Sequence, residues 1–277
     1  MPELPEVETV KEVLKTKVLG KKIKNVNIYY SKIVEYPTND EFIKSLIGET
    51  INDIKRRGKW LMFELDNYYL LSHLRMEGKY NYKSNEIEIG KHEHVQITFT
   101  DNMDLRYQDT RKFGRMYLYP KEGIFDKQPL SDLGLEPWDE ELKVNYLKEK
   151  YKTKKKEIKT ILLDQSIIVG IGNIYADEIL FLSKINPYKR STELKKEELQ
   201  NIIDNTKIVL EQAIKEGGTT IKSYTSSEGV HGRFQQMLNV HQRKGEKCLV
   251  CGTEIEKVVI GGRGTYFCPK CQKKDIN

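Results

Sequence analysis

The chain has 277 residues, of which 38% are hydrophobic and 32% are charged. That length allows two domains with separate cores, and that composition excludes a largely disordered protein. The formal net charge is +6, and from Lys222 onward ten Lys and Arg stand against five Asp and Glu. A basic C-terminal fifth predicts a polyanion-binding surface, although lysines scattered over an ordinary surface would give the same excess.

The first six residues carry a candidate nucleophile. Removal of Met1 would leave Pro2 with a secondary amine, and α-amino groups, with pKa of about 8, are unprotonated near neutrality far more often than lysines. Glu3 and Glu6 follow at once, and an amine with adjacent carboxylates can attack a sugar C1′ and move protons around it. The alternative is a well-started helix, with Pro5 in its first turn and acidic residues at the positive end of its dipole.

The N-terminal half has the pattern of one helix followed by strands. An apolar stripe at helical spacing predicts a helix over Glu6–Leu19 that ends at Gly20. Short alternating or apolar runs between Gly, Asn, Asp and Pro predict strands. These are Ile23–Ile28, Trp60–Leu65, Tyr68–Ser72, Val95–Phe99, Leu105–Tyr107 and Met116–Tyr119. Several strands with little intervening helix favour a β-sandwich or a barrel.

The C-terminal half has a helical pattern after a connection over residues 121–140 that contains several Gly and Pro. The apolar periodicity predicts helices at Lys143–Tyr151, Lys155–Gln165, Ile174–Ser183 and Lys196–Glu216. Gly217-Gly218 ends the last helix, and a polar loop over residues 219–232 follows. We therefore expect an α+β chain of more than one domain.

The stretch Gly170-Ile171-Gly172-Asn173 joins two of these helical segments. Glycines at a helix start let backbone N–H groups approach a phosphate closely, and Asn173 could cap the helix and offer its amide as a further donor. A tight helix–helix turn with an asparagine cap would have the same sequence.

All four cysteines lie in the last thirty residues, at Cys248, Cys251, Cys268 and Cys271. Two C-x2-C pairs separated by sixteen residues suit a hairpin that binds one Zn²⁺ through four thiolates. Two disulfides are the alternative, and a cytoplasmic location disfavours them. Four thiolates leave no open coordination position for water, so we expect the zinc to be structural.

Three stretches of the chain resemble, in the right order, the signatures of the formamidopyrimidine-DNA glycosylase family, bacterial base-excision enzymes that remove oxidised purines. They are PELPEVETV at the start, LLDQ with GIGNIYADEILF in the centre, and GGRGTYFCPKCQ near the end. The resemblance implies an N-terminal β-sandwich with a leading helix, a helix-two-turn-helix domain and a C-terminal zinc β-hairpin. We accordingly expect a catalytic domain over 1–135, a DNA-binding domain with a capping loop over 140–235, and the zinc hairpin over 236–277.

The resemblance also implies a bifunctional DNA glycosylase and apurinic/apyrimidinic (AP) lyase. Pro2 would attack C1′ of the damaged nucleotide and form a Schiff base with the opened sugar. Glu3 would be the acid and base that assists sugar opening, and Glu6 would hold the site by bonding to the sugar or to backbone amides. Imine formation acidifies the C2′ hydrogens, so the 3′ phosphate leaves by β-elimination and a δ-elimination then expels the sugar.

Four further residues match positions at which the family contacts phosphates. We count Lys59 and Arg263 with the catalytic residues, and His73 and Asn173 with the DNA-binding residues. Without the resemblance, Lys59 has the pattern of a solvent-facing lysine at a strand end, and His73 that of a core histidine.

Met76, Arg111 and Phe113 match the side chains with which the family fills the gap left by a flipped nucleotide. A base in a duplex must leave its stack to be processed; Met and Phe are suitable wedges, and an arginine can hydrogen-bond the orphaned cytosine. Tyr224 lies in the loop that, in relatives, closes over the extruded 8-oxoguanine. The Thr, Ser and Gly content of that loop suits this role and equally suits a flexible surface loop.

The sequence therefore predicts a DNA-repair enzyme that excises 8-oxoguanine and formamidopyrimidines from double-stranded DNA and cleaves abasic sites. We expect one structural Zn²⁺, a monomer, and a cytoplasmic, nucleoid-associated location without a membrane partner, because no apolar run approaches the length of a membrane span. Two rivals are the endonuclease VIII-like branch, which prefers oxidised pyrimidines, and a zinc-hairpin DNA-binding protein without activity. The opening PELPEVE in place of PEGPE, the Arg111–Phe113 pair and the long capping loop favour the oxidised-purine enzyme over the endonuclease VIII-like branch. The intact Pro2, Glu3 and Glu6 argue against a DNA-binding protein without activity.

Overall fold

The structure is a computed structural model that describes residues 1–219 and 232–274. It divides into two compact units. The first comprises Met1–Ser131 with the described ends of Gly217–Gly232, and the second comprises Asp132–Glu216 and the described residues from Arg233 onward. Among the described helices, none has the length and apolar character needed to cross a membrane.

The first unit has a leading helix and two sheets. Helix α1 spans Leu4–Val18, and helix α2 spans Asn39–Leu46. The strands are β1 Ile23–Ile28, β2 Val34–Tyr36, β3 Asp53–Arg57, β4 Trp60–Glu64, β5 Tyr68–His73, β6 Lys79–Ser84, β7 Glu93–Phe99, β8 Met103–Gln108 and β9 Arg115–Pro120. One sheet has the order β1-β7-β8-β6 and the other β2-β9-β5-β4-β3, with β2 and β9 parallel and the other pairs antiparallel.

The core of this unit lies between the two sheets and beneath α1. Alternate residues of the first sheet, such as Val26 and Ile97, share one buried cluster with alternate residues of the second, such as Leu61 and Leu70. Leu14 of α1 belongs to the same cluster. Since successive side chains of a strand point to opposite faces, this is the core of a two-layer sandwich. The predicted β-sandwich with a leading helix is confirmed.

Several elements of the first unit were not predicted: β2, α2, β3 and β6. Helix α2 nevertheless has a local signal, because Thr38 and Glu41 form a capping box. The Glu41 amide donates to Thr38 Oγ1 at 3.3 Å, and the Thr38 amide donates to Glu41 Oε2 at 3.2 Å. The T-x-x-E spacing is visible in the sequence and marks a helix start.

The second unit is helical and ends in a β-hairpin. Its helices are α3 Val144–Tyr151, α4 Ile158–Leu162, α5 Asn173–Leu182 and α6 Lys196–Lys215, and the hairpin strands are β10 Glu256–Ile260 and β11 Arg263–Phe267. Helix α5 is buried on every face from Ile174 to Phe181, which makes it the centre of this unit. With the sandwich of the first unit, these elements confirm the α+β prediction.

The predicted helix over Lys155–Gln165 is too long, because α4 begins only at Ile158. Glu157 pairs with Arg190 in an antiparallel bridge, and the amide of Ser191 donates to the carbonyl of Lys156 at 3.0 Å. These bonds hold the backbone before Ile158 in an extended conformation. A prediction from apolar spacing alone therefore starts the helix too early.

Candidate active site and nucleic-acid interface

The first turn of α1 buries two carboxylates against backbone amides. Glu3 is 2% exposed and Glu6 is 3% exposed. The backbone amide of Glu3 donates to Glu6 Oε2 at 2.9 Å, and Glu6 Oε1 accepts from the amide and the hydroxyl of Thr219, at 2.8 and 3.1 Å. Buried carboxylates require such donors. Glu6 therefore joins the start of α1 to Thr219, whereas Tyr224 lies outside the described residues.

The α-amino group of Met1 lies among charged side chains of the first unit. Burial is the largest influence and lowers the pKa of this amine; Glu3 and Glu6 raise it, Lys59 lowers it, and Glu77 raises it, with a net result below the ordinary value. Pro2, the next residue, is buried. Glu77 was not predicted, since its only signal in the sequence is its place beside Met76.

Lys59 lies in the tight turn between β3 and β4. Gly58, the residue before it, has a φ of 56°, which a glycine adopts without steric cost. Lys59 is only 5% exposed and is thus not an ordinary solvent-facing lysine. The turn is attached to α1 through Arg56, which donates to Glu8 Oε2 at 2.8 Å and to the carbonyl of Gly58 at 3.0 Å.

His73 ends β5 and is buried against the ring of Trp60, with 4.7 Å between the ring centroids. Its Nδ1 accepts from the backbone amide of Arg75 at 2.9 Å. Burial, with the charges of Arg75 and Lys59, lowers the pKa of His73 well below its ordinary value. The imidazole is therefore neutral at pH 7 with its proton on Nε2, which is the form that donates to a phosphate oxygen.

Two turns of the first unit carry the side chains predicted to fill a gap in DNA. Met76 lies in the turn that follows β5 and is half-buried. Arg111 and Phe113 lie between β8 and β9, and both are exposed. The Arg111 guanidinium lies 4.7 Å from the centroid of the Phe113 ring, which is 45% exposed. An exposed phenylalanine covered by a cation is not a core residue, and it offers a flat face to a base.

In the second unit, Asn173 is the first residue of α5, and Gly172 occupies the cap position. The predicted role of Asn173 as the helix cap is therefore wrong. Its side-chain Nδ2 instead donates to the carbonyl of Gly264 at 2.8 Å, and its own carbonyl accepts from Lys159 Nζ at 2.9 Å. The first of these bonds brings Asn173 beside Arg263, the residue that precedes Gly264 in β11.

Arg263 is the first residue of β11 and lines a cavity of about 490 Å³ in the second unit. Lys155 and Lys156 line the same cavity, next to Lys154, which is paired with Asp164 at 2.5 Å. A run of lysines before a helical pattern usually marks only a solvated helix start, so the sequence alone does not point to a role for these residues. Several cations around one cavity attract a phosphate group.

Cys248, Cys251, Cys268 and Cys271 place their sulfur atoms within 4.8 Å of one another, and all four are free thiols. The Sγ atoms of Cys251 and Cys268 are 3.4 Å apart, and those of Cys248 and Cys271 are 3.9 Å apart. A tetrahedral site with Zn–S bonds of about 2.3 Å has sulfur atoms roughly 3.8 Å apart. The four residues fit one structural Zn²⁺, as predicted, and the two disulfides are excluded.

Three family models match successive parts of the chain. The formamidopyrimidine-DNA glycosylase N-terminal domain matches residues 1–116, and the formamidopyrimidine-DNA glycosylase H2TH domain matches residues 133–225. The zinc finger found in FPG and IleRS matches residues 245–274.

Curated relatives match over nearly the whole chain. The formamidopyrimidine-DNA glycosylase of Bacillus anthracis is 48% identical over 99% of this chain and 100% of its own length. That of Oceanobacillus iheyensis is also 48% identical, over 98% of each chain.

Solved structures with DNA have the same fold. A mutant Lactococcus lactis FPG in complex with a Fapy-dG containing DNA has a TM-score of 0.92 and 40% identity, covering 99% of this chain and 100% of that one. Lactococcus lactis Fpg with an abasic site containing DNA has a TM-score of 0.91 and 40% identity, covering 98% and 100%.

Proposed function

The chain belongs to the formamidopyrimidine-DNA glycosylase family, and we propose that Pro2, once Met1 is removed, is its catalytic nucleophile. The protein is a DNA glycosylase with AP lyase activity that acts in the repair of oxidised purines, and it carries one structural zinc. Its partner is DNA that contains a damaged base or an abasic site.

The main support for this proposal is the burial of the chain's amino terminus, directly before α1. Burial lowers the pKa of the Met1 α-amino group below its ordinary value, and Glu3 and Glu6 lie at the start of α1. Once Met1 is removed, the Pro2 nitrogen becomes the terminal amine directly before Glu3, and it needs an unprotonated lone pair to attack. Removal of Met1 therefore places a nucleophilic amine beside a buried carboxylate, and no lysine is needed as the nucleophile.

The steps follow from these groups. The Pro2 nitrogen forms a bond to C1′ as the bond from C1′ to the base breaks, and the proton that the amine loses balances the one that the departing base takes up. Glu3 then donates a proton to O4′, so the C1′–O4′ bond breaks and the nitrogen forms an iminium with C1′. The resulting iminium withdraws electrons from C2′, so loss of a C2′ proton expels the 3′ phosphate and a second elimination expels the 5′ phosphate. Glu6 holds the first turn of α1 through the amide of Glu3 and does not react itself.

The DNA contacts are part of the same proposal. Lys59, His73, Asn173 and Arg263 bind phosphates; Met76, Arg111 and Phe113 fill the gap left by the flipped nucleotide; Tyr224 contacts the extruded base. The burial of Lys59, the neutral state of His73 and the basic cavity at Arg263 support the phosphate roles. Tyr224 lies outside the described residues, so its role rests on the family resemblance alone.

We also propose the division into a catalytic domain 1–135, a DNA-binding domain 140–235 and a zinc hairpin 236–277, which the family matches to 1–116, 133–225 and 245–274 support. A monomer acting at the nucleoid in the cytoplasm is the arrangement that suits an enzyme of chromosomal DNA.

A second lesion class has specific support. One solved structure, 39% identical with a TM-score of 0.91, is a complex between Lactococcus lactis Fpg and an oxidised pyrimidine containing DNA. We therefore propose oxidised pyrimidines as weaker substrates of this chain. Release of free base from duplexes containing 8-oxoguanine or thymine glycol, measured at equal enzyme concentration, tests the preference. Faster release of 8-oxoguanine is expected, and faster release of thymine glycol would contradict the purine assignment.

A further inference from the structure

One buried carboxylate, that of Asp109, holds the loop that carries Arg111 and Phe113. Asp109 is fully buried and directly follows β8. Its Oδ1 accepts from the amide of Arg111 at 3.0 Å, and its Oδ2 accepts from the amides of Phe113 and Gly114, each at 2.8 Å. Three successive bonds to one side chain fix the backbone from which both exposed side chains project.

The hydroxyl of Tyr107 is the fourth donor to this carboxylate, at 3.2 Å from Asp109 Oδ2. Tyr107 is 1% exposed, and its hydroxyl lies in a gap between two glycines. A Cβ at Gly114 would lie 1.7 Å from this oxygen, and a Cβ at Gly78 would lie 2.3 Å from it. No other residue type fits at either position while the phenol stays in place.

Gly78 closes the turn that carries Met76. Its amide donates to the carbonyl of Leu74 at 2.9 Å, which spans the turn. The Tyr107 hydroxyl therefore lies against the base of the Met76 turn on one side and against the base of the Arg111–Phe113 loop on the other. The two turns that bear the gap-filling side chains share one buried support, and neither Tyr107 nor Asp109 is itself exposed to DNA.

We propose that Tyr107 and Asp109 are positioning residues that hold the Met76 turn and the Arg111–Phe113 loop as one preformed wedge for insertion into duplex DNA. The inference rests on the proposed gap-filling role of Met76, Arg111 and Phe113. A wedge that is rigid before binding loses little conformational entropy on insertion, so more of its contact energy remains to separate stacked bases. A loosened wedge inserts slowly and places the Arg111 guanidinium poorly against the orphaned base.

Asp109→Asn is the main test, because it keeps the shape of the side chain and removes one acceptor oxygen. At least one of the loop amides then faces an NH2 group and loses its bond. We expect excision of 8-oxoguanine from a duplex to fall roughly tenfold, in kcat more than in KM. The preference for cytosine over adenine opposite the lesion should fall as well, since it depends on where Arg111 lies.

Borohydride trapping on a single-stranded oligonucleotide with an abasic site is the internal reference. That substrate has no stacked partner to separate, so Asp109→Asn should trap at the rate of the natural protein. Matched controls are Asp104→Asn and Tyr80→Phe, two equally buried changes in the same unit. Asp104 pairs with Arg106 at 2.7 Å. Tyr80→Phe removes only the hydroxyl that donates to Ser72 at 2.7 Å and keeps the ring that packs against Tyr107, so neither change removes a bond to a wedge turn. Both controls should keep duplex excision and the opposite-base preference.

Tyr107→Phe provides the second variant if Asp109→Asn does not fold. It removes only the hydroxyl between Gly78 and Gly114, and we expect the same pattern with a smaller loss, roughly threefold. The inference is overturned if duplex excision and opposite-base preference match those of the controls. Arg111→Ala and Phe113→Ala show whether such a result overturns only the positioning role of Tyr107 and Asp109 or also the gap-filling role. If these two variants leave duplex excision unchanged as well, the gap-filling role is wrong, and with it the wedge.

Discussion

Glu6 and Thr219 are joined by two hydrogen bonds, from the backbone amide and the side-chain hydroxyl of Thr219 to the same carboxylate oxygen, at 2.8 and 3.1 Å. The other oxygen of Glu6 accepts from the amide of Glu3 at 2.9 Å. The residue that follows the Gly217-Gly218 pair is thereby attached to the first turn of α1. We therefore expect the geometry of the amino terminus to depend on this contact between the two ends of the first unit's sequence.

Glu6→Gln should weaken base excision more than Thr219→Val does. A glutamine side chain has one acceptor oxygen for the two amides of Glu3 and Thr219, so one buried N–H loses its partner at a cost of about 1–3 kcal/mol. Thr219→Val removes only the hydroxyl bond, worth about 1 kcal/mol. Single-turnover excision of 8-oxoguanine measures both. Equal rates for the two variants would show that the amide contacts do not position the site.

Gly218→Ala and Gly217→Ala form a matched pair. Both glycines have positive φ, 77° and 72°, so alanine is strained at each by roughly 1–2 kcal/mol. A Cβ at Gly218 would also lie 2.7 Å from Glu6 Oε1, whereas nothing lies within 4 Å of one at Gly217. We expect similar thermal stability losses but a clearly larger loss of excision for Gly218→Ala. A smaller loss for Gly218→Ala than for Gly217→Ala would contradict the importance of the Glu6 contact.

The charges near the amino terminus predict opposite pH shifts for two variants. The amine is nucleophilic only when unprotonated, so imine formation rises as pH rises through its pKa. Lys59 lowers the pKa of the Met1 amine and Glu77 raises it, and we expect the same charges to act on the Pro2 amine that replaces it. Lys59→Met should therefore move the rising limb to higher pH, and Glu77→Gln should move it to lower pH.

Borohydride trapping on a single-stranded abasic oligonucleotide from about pH 5 to pH 9 measures this limb. Its position is the readout, because Lys59→Met also lowers the plateau if Lys59 binds a phosphate. A shift of both variants in the same direction would show that these charges do not act on the nucleophile.

Cys248→Ser and Arg263→Gln should distinguish the structural role of the zinc from the phosphate contact of Arg263. Cys248 lies in a small buried cluster with Phe181 and Val240, so loss of the metal should disorder the hairpin and abolish duplex binding while the first unit stays folded. Arg263→Gln should keep one zinc per chain and weaken binding, with the slope of log affinity against log salt reduced by about 1. Metal analysis and salt titration measure both, and undiminished affinity of Cys248→Ser for duplex DNA would exclude the hairpin from binding.

Much of the fold could be predicted because many of the sequence patterns follow from one physical cause, the burial of one face of a helix or strand. The alternation in Ile23–Ile28 and the helical stripe after Glu6 follow from one buried face, and both elements are present. Helix α4 shows where this fails: its start is set by a bridge between Glu157 and Arg190, residues far apart in the sequence. Where a bond between distant residues sets the boundary of an element, the local sequence carries little signal of that boundary.

The site divides in the same way. The four cysteines are marked by spacing alone, because the chemistry of a zinc hairpin is local, whereas Pro2 and Glu3 also fit a well-started helix and are singled out by the family resemblance. Asp109, Thr219 and Glu77 carry no such mark. Their proposed roles depend on backbone amides and charges that folding brings near them, and a lone aspartate after a strand looks like any turn residue.

The central claim is that the amine of Pro2 becomes covalently bound to the deoxyribose. Borohydride reduction of the protein with an 8-oxoguanine duplex, followed by peptide mass spectrometry of the trapped adduct, tests it most directly. We expect an adduct on the N-terminal Pro2 of chains that have lost Met1. An adduct on a lysine, or full activity in chains that retain Met1, would contradict it.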